Sequence, residues 1–224
     1  DRGDLWGGVA RLRGAVEGRS GASSVALRVM VAEALAGEGL AREAEEALLG
    51  AGPAETLSKE ALLLLLELRA EGAGQAGGPR GDAADAGPAA AGGSAARSEP
   101  LDEAVAAYLS ATPVDAAGDR ILAGATLRGA GLLDPAEALL RRALELAAGP
   151  EQRRLALFHL LGTLHSAGRD DALRAAARSF VDESPAPLSA LHAVVGELGK
   201  LHLWSVAARL LEERTLLVRG DPQL

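Results

Sequence analysis

The chain has 224 residues, of which 48% are hydrophobic but only 2% aromatic, and its formal charge is -8. An acidic chain makes a poor replacement for the counterions of a nucleic-acid backbone, so nucleic-acid binding is not expected. With no cysteine, disulfides, thiolate nucleophiles and cysteine-ligated metal sites are excluded.

Ala and Leu dominate, both strong helix formers, and β-branched residues are sparse, which points to an all-α chain packed through small residues. The longest apolar run, residues 61–66, stops at Glu67, far short of the roughly 20 residues that span a bilayer, so no membrane insertion is expected. No signal-peptide pattern is present. The start at Asp1 rather than Met fits a removed leader or a missing upstream region. The compartment stays open between cytoplasm and periplasm. Lys59 and Lys200 are the only lysines; the preference for Arg is what a GC-rich genome produces.

In chain order, apolar spacing predicts eleven helices, at about 4–18, 23–37, 40–50, 56–70, 99–111, 114–130, 134–148, 151–167, 170–182, 187–199 and 203–218. Gly37 and Gly39 mark the end of the second. Residues 72–98 contain no Val, Ile, Leu, Met or aromatic residue, so nothing there offsets the entropy of ordering, and a flexible loop is expected. Thr112-Pro113, Gly149-Pro150 and Ser184-Pro185 are further breaks. The clearest helix start is Leu133-Asp134-Pro135-Ala136-Glu137, with Asp134 expected as N-cap, Pro135 in the first turn and Glu137 closing a capping box.

Few residues invite a chemical reading. His159, His165, His192 and His202 show no helical metal-ligand spacing. Asp170-Asp171 reads as a helix start, where acids complement the helix dipole. The Gly-rich stretch lacks the Lys-Ser/Thr of a phosphate loop, and no serine sits in a nucleophile elbow. Arg-Gly-Asp occurs at 2–4 and 80–82, as chance allows in an Arg-, Gly- and Asp-rich chain. Trp6 and Trp204 both fall near the start of a helix, as core residues, wedges between hairpins or partner anchors.

An internal repeat carries more. Gly39, Ala44, Leu48 and Ala51 lie at offsets of 5, 9 and 12, and Gly131, Ala136, Leu140 and Ala143 repeat them; Gly3, Gly8, Leu12 and Ala15 do so too. Ala104, Tyr108 and Ala111 repeat the last three members. Twelve residues before Ala44 and Ala136 stand Ala32 and Gly124, small residues that let two antiparallel helices approach closely. Taking Gly8, Ala44, Ala104, Ala136, Ala172 and Ala207 as equivalent gives spacings of 36, 60, 32, 36 and 35. The 60 is one repeat plus the 72–98 insert, which then falls between two helices of one hairpin.

This pattern resembles the tetratricopeptide repeat (TPR) family, whose hairpins have about 34 residues. Its usual aromatic positions are mostly missing; Phe158 alone remains. The resemblance implies a right-handed α-solenoid of TPR-like hairpins forming a single domain over 1–218, starting inside a repeat, with a tail at 219–224. It further implies a non-catalytic scaffold, without cofactor or metal, that binds a protein or peptide partner in the concave groove lined by first helices and that fits into a larger assembly. The outward positions of those helices, Glu33, Arg128, His159, Thr163 and His192, are the expected partner contacts. The competing reading is a ligand-sensing segment of a larger bacterial regulator. A helical-toroid enzyme is disfavoured, because the chain lacks the aromatic platforms such enzymes use.

Overall fold

The computed structural model describes residues 7, 8, 10, 11, 14, 22–50, 57–77, 92–111 and 115–214. Among them the chain is all-helical: ten α-helices of regular length and no strand. The first expected helix, Trp6, the Arg-Gly-Asp stretches and the tail lie largely or wholly outside the described residues. The spacing pattern expects one domain, and the chain divides into two compact units, Asp1–Val114 and Asp115–Leu224.

The first unit contains α1 (Ala22–Gly37), α2 (Ala41–Leu49), α3 (Lys59–Gly77) and α4 (Gly92–Ser110). Consecutive helices pack together, and α1 also meets α3. Ala32, Ala44, Leu48, Leu65, Ala104 and Tyr108 are buried in its core. Arg69 of α3, with its side chain only 10% exposed, ties three helices: it donates to Glu45 of α2 at 2.8 Å and to the Pro100 carbonyl and Glu103 of α4 at 2.5 and 3.3 Å. Both ends of the expected 72–98 loop are helical. α3 continues to Gly77, and α4 starts at Gly92, enclosing Pro100. Apolar content marks which residues can form a core, but the Ala-rich flanks add turns to a helix already nucleated by packing. Residues 78–91 lie outside the described residues.

The second unit contains α5 (Ala116–Gly129), α6 (Leu133–Leu146), α7 (Pro150–Ser166), α8 (Asp170–Asp182), α9 (Pro187–Lys200) and α10 (Trp204–Glu213). Each helix packs on the next, and contacts also run α5 to α7, α7 to α9 and α8 to α10. Leu140, Leu157, Leu161, Leu173, Val194 and Ala207 belong to one buried cluster. Asp115 caps α5, accepting from the Gly118 N–H at 2.9 Å. It also accepts from the Gln152 amide of α7 at 2.9 Å.

One turn geometry recurs four times. Gly39, Gly131 and Gly168 have φ of 75°, 78° and 66°, and His202 takes the same place at 58°. In each case the next residue's N–H reaches back five residues: Leu40 to Leu35, Leu132 to Leu127, Arg169 to Leu164, Leu203 to Leu198, at 2.8–2.9 Å. This is the Schellman closure, which needs a left-handed residue and therefore favours glycine.

Counting from the turn corrects the register. The fifth residue after each left-handed position is Ala44, Ala136, Leu173 and Ala207, all buried. Ala172, expected at this position, is only half-buried; Leu173 fills it, since the turn rather than the residue's size fixes the phase. The contact expected between Gly124 and Ala136 is present. A Cβ on Gly124 would stand 2.7 Å from Leu140 Cγ and 3.4 Å from the Ala136 carbonyl oxygen.

Asp134 is not an N-cap. α6 starts at Leu133, directly after the Schellman turn, and Leu132 makes no side-chain cap bond. Asp134 and Glu137 instead pair with Arg169, which belongs to the following hairpin's turn. Related ties recur further on, Arg178 to Glu213 and Arg214 to Asp182. Asp170 and Asp171 do lie in the first turn of α8 without capping it, and Asp171 pairs with Arg174 at 2.6 Å.

Candidate functional site

In the second unit, α5, α7 and α9 are the leading helices of three successive hairpins, and they contact one another in that order. Two of the expected contact residues meet there. Arg128, in the last turn of α5, extends over α7 at Gly162, so that a Cβ added to Gly162 would overlap its guanidinium. His159, one turn earlier on α7, is half-buried beside it.

Among the described residues of this unit, three arginines lack a carboxylate: Arg120 donates to the Ala116 carbonyl at 2.7 Å and Arg209 is exposed, which sets half-buried Arg128 apart. Eight arginines of this unit, Arg141, Arg142, Arg153, Arg154, Arg169, Arg174, Arg178 and Arg214, each pair with a carboxylate. Arg128 has no ion pair among the described residues, although it is half-buried. Burial holds the His159 pKa below its ordinary 6.5, and the positive charge of Arg128 lowers it further, while Glu197 of α9 acts in the opposite direction. Glu197 is itself paired with Lys200.

Phe158 lies beside this group. Arg154 and Lys200 each stand 5.9 Å from its ring centroid, a cation on an aromatic face. Leu155 on α7 and Leu122 on α5 are 48% and 43% exposed.

The other expected contacts separate. Thr163 is fully buried, contrary to the outward position expected for it, and its hydroxyl donates to the His159 carbonyl at 2.8 Å. Four residues exceed one helical turn, and that rotation carries Thr163 into the core while His159 stays at the margin. His192 is exposed on α9. Glu33 is exposed on α1 of the first unit and has no described relation to the others. Trp204 is 63% exposed, with its ring edge against Gly199, where a Cβ would stand 2.9 Å away.

Sequence reading did not single out Gly162 or Glu197. A glycine inside a helix that otherwise favours Leu was the available signal for the first. Glu197 carried none, since its role comes from the approach of α9 to α7.

A second concavity of about 440 Å³ lies between α6, α7 and α8, floored by Leu144, Leu160, Ala176 and Phe180. Its rim charges are already used: Arg141 pairs with Glu137 and Arg153 with Glu183. No group of three or more His, Asp or Glu that could hold a metal ion comes together among the described residues, and no described helix is long and apolar enough to cross a membrane. In comparisons with known proteins, the chain matches no family model, no curated protein and no solved structure.

Proposed function

We propose that this chain is a non-catalytic protein-interaction scaffold built as a TPR-like solenoid, and that a protein or peptide partner docks on the leading helices α5, α7 and α9. The observation that carries the reading is half-buried Arg128, with no ion pair among the described residues, seated on the bare backbone at Gly162 with His159 three residues earlier on the same helix. Exposed Leu122 and Leu155 on the same helices add apolar surface of the kind a partner covers. Recurrent Schellman turns and the buried residue five positions later support the repeat reading.

Site-specific photocrosslinking tests this. A photoreactive residue in place of Leu155 or His192 should capture a defined partner from extracts of the source cells, while one in place of Ala175, exposed on α8, should not. Capture from Ala175 alone would move the working surface to the second helices.

A further inference from the structure

The chemistry of the partner follows from two costs that the fold carries at one point. Gly162 lies inside a seventeen-residue helix, where glycine is about 1 kcal/mol worse than alanine. Nothing in the packing of the helical core demands it: the only atoms an added Cβ would meet belong to the Arg128 guanidinium. Arg128, in turn, is half-buried with no carboxylate among the described residues, whereas eight arginines of the same unit have found one, Arg120 donates to a backbone carbonyl and Arg209 is exposed. The glycine thus seats an arginine whose charge no described carboxylate pairs with.

Resting on the interaction reading above, we propose that Arg128 and His159 form a proton-linked seat for a carboxylate of an acidic partner segment. Arg128 offers a forked set of donors that matches a carboxylate, and its partial burial strengthens such a pair relative to bulk water. His159 supplies a second donor and a switch. The charged groups that reach its imidazole are Arg128 from α5 and Glu197 from α9. Glu197, itself paired with Lys200, opposes the shift, but burial first and Arg128 second favour the neutral imidazole in the free chain. A bound carboxylate neutralises Arg128 and adds a negative charge beside the ring. Protonation of His159 then becomes easier, and binding takes up a proton. By linkage, affinity must rise as pH falls through the His159 range. Leu155, one helical turn before His159 and 48% exposed, favours a segment that carries an apolar residue near the acidic one.

The full chain can be tested with a short blocked peptide of Glu, Leu and Ala, with the same peptide carrying Gln for Glu, and with inorganic phosphate. The Glu peptide should bind, the Gln peptide should bind at least about tenfold more weakly, and binding of the Glu peptide should tighten as pH falls into the range where His159 protonates. The Arg128→Gln variant should lose the preference for Glu, and His159→Gln should keep it but lose the pH dependence. Imidazole NMR gives a readout separate from affinity: in the native chain the Glu peptide should raise the His159 pKa, and in Arg128→Gln it should not. Equal binding of the Glu and Gln peptides, an unchanged preference in Arg128→Gln, or a His159 pKa raised by phosphate but not by the peptide would overturn the carboxylate seat. The docking reading would survive any of these if crosslinks from Leu155 still captured a partner, and would fail separately if they did not.

Discussion

The guanidinium of Arg128 occupies the space that a side chain at position 162 would need. The two residues belong to successive leading helices, so this contact joins one hairpin to the next and places an unpaired cation beside His159.

Replacing Gly162 with alanine should separate fold from function. Alanine suits a helix interior better by about 1 kcal/mol, and the group in its way is the end of a flexible side chain. Stability should stay level or rise in urea unfolding, while Arg128 is displaced and the His159 pKa climbs toward its ordinary value. Gly124→Ala gives the contrast, because its Cβ would press on buried Leu140 and the Ala136 carbonyl. Overpacking of this kind costs about 1–3 kcal/mol. Equal effects of the two substitutions would remove the distinction drawn between these glycines.

The pH dependence of folding has a definite sign. The His159 pKa is lowered in the native state, chiefly by burial and then by Arg128. The unfolded chain therefore binds the proton more readily. The stability that this residue contributes is complete above its ordinary pKa of 6.5 and is lost as pH falls through and below that value. His159→Gln should flatten that part of the stability profile. A profile unchanged by the substitution would contradict the lowered pKa.

His202 adopts φ of 58° where three equivalent turns use glycine. A left-handed residue with a Cβ costs about 1–2 kcal/mol, partly offset in a His202→Gly variant by the greater freedom of the unfolded glycine. A gain of about 0.5–1 kcal/mol is expected in chemical unfolding. A loss on this substitution would mean that the imidazole makes a compensating interaction.

Arg69 should matter for the first unit out of proportion to a surface arginine. Its nearly buried side chain links α2, α3 and α4, and removing one partner of a buried pair is costly, at up to about 3–5 kcal/mol, less where the acids reach water as Glu103 does. Arg69→Ala should lower the unfolding midpoint markedly, and Arg42→Ala, whose ion pair with Glu46 is exposed, should barely move it.

Much of the helical plan was legible in the sequence because turn chemistry and apolar spacing are local. Gly39, Gly131 and Gly168 each mark a real left-handed turn, and Asp170 and Pro187 stand at helix starts within a residue of their expected places. Charge partners were not legible. Asp134 looked like a cap because the cap is a local pattern, whereas its partner Arg169 is a full repeat away. The site divided along the same line. Arg128 and His159 keep the partial exposure expected from their phase, yet the same reasoning placed Thr163 outside, and the structure buries it. Gly162 has no local sequence partner that explains it; its neighbour Arg128 comes from α5, 34 residues earlier in the chain.

The most direct test of the interaction face is calorimetry of the crosslinked partner, once purified, against the native chain and Arg128→Glu at two salt concentrations. Losing a charge-assisted contact and gaining repulsion should weaken binding by about 2 kcal/mol or more, with unchanged helicity and a smaller difference at high salt. Identical affinities at both salt concentrations would contradict the assignment of the partner to α5, α7 and α9.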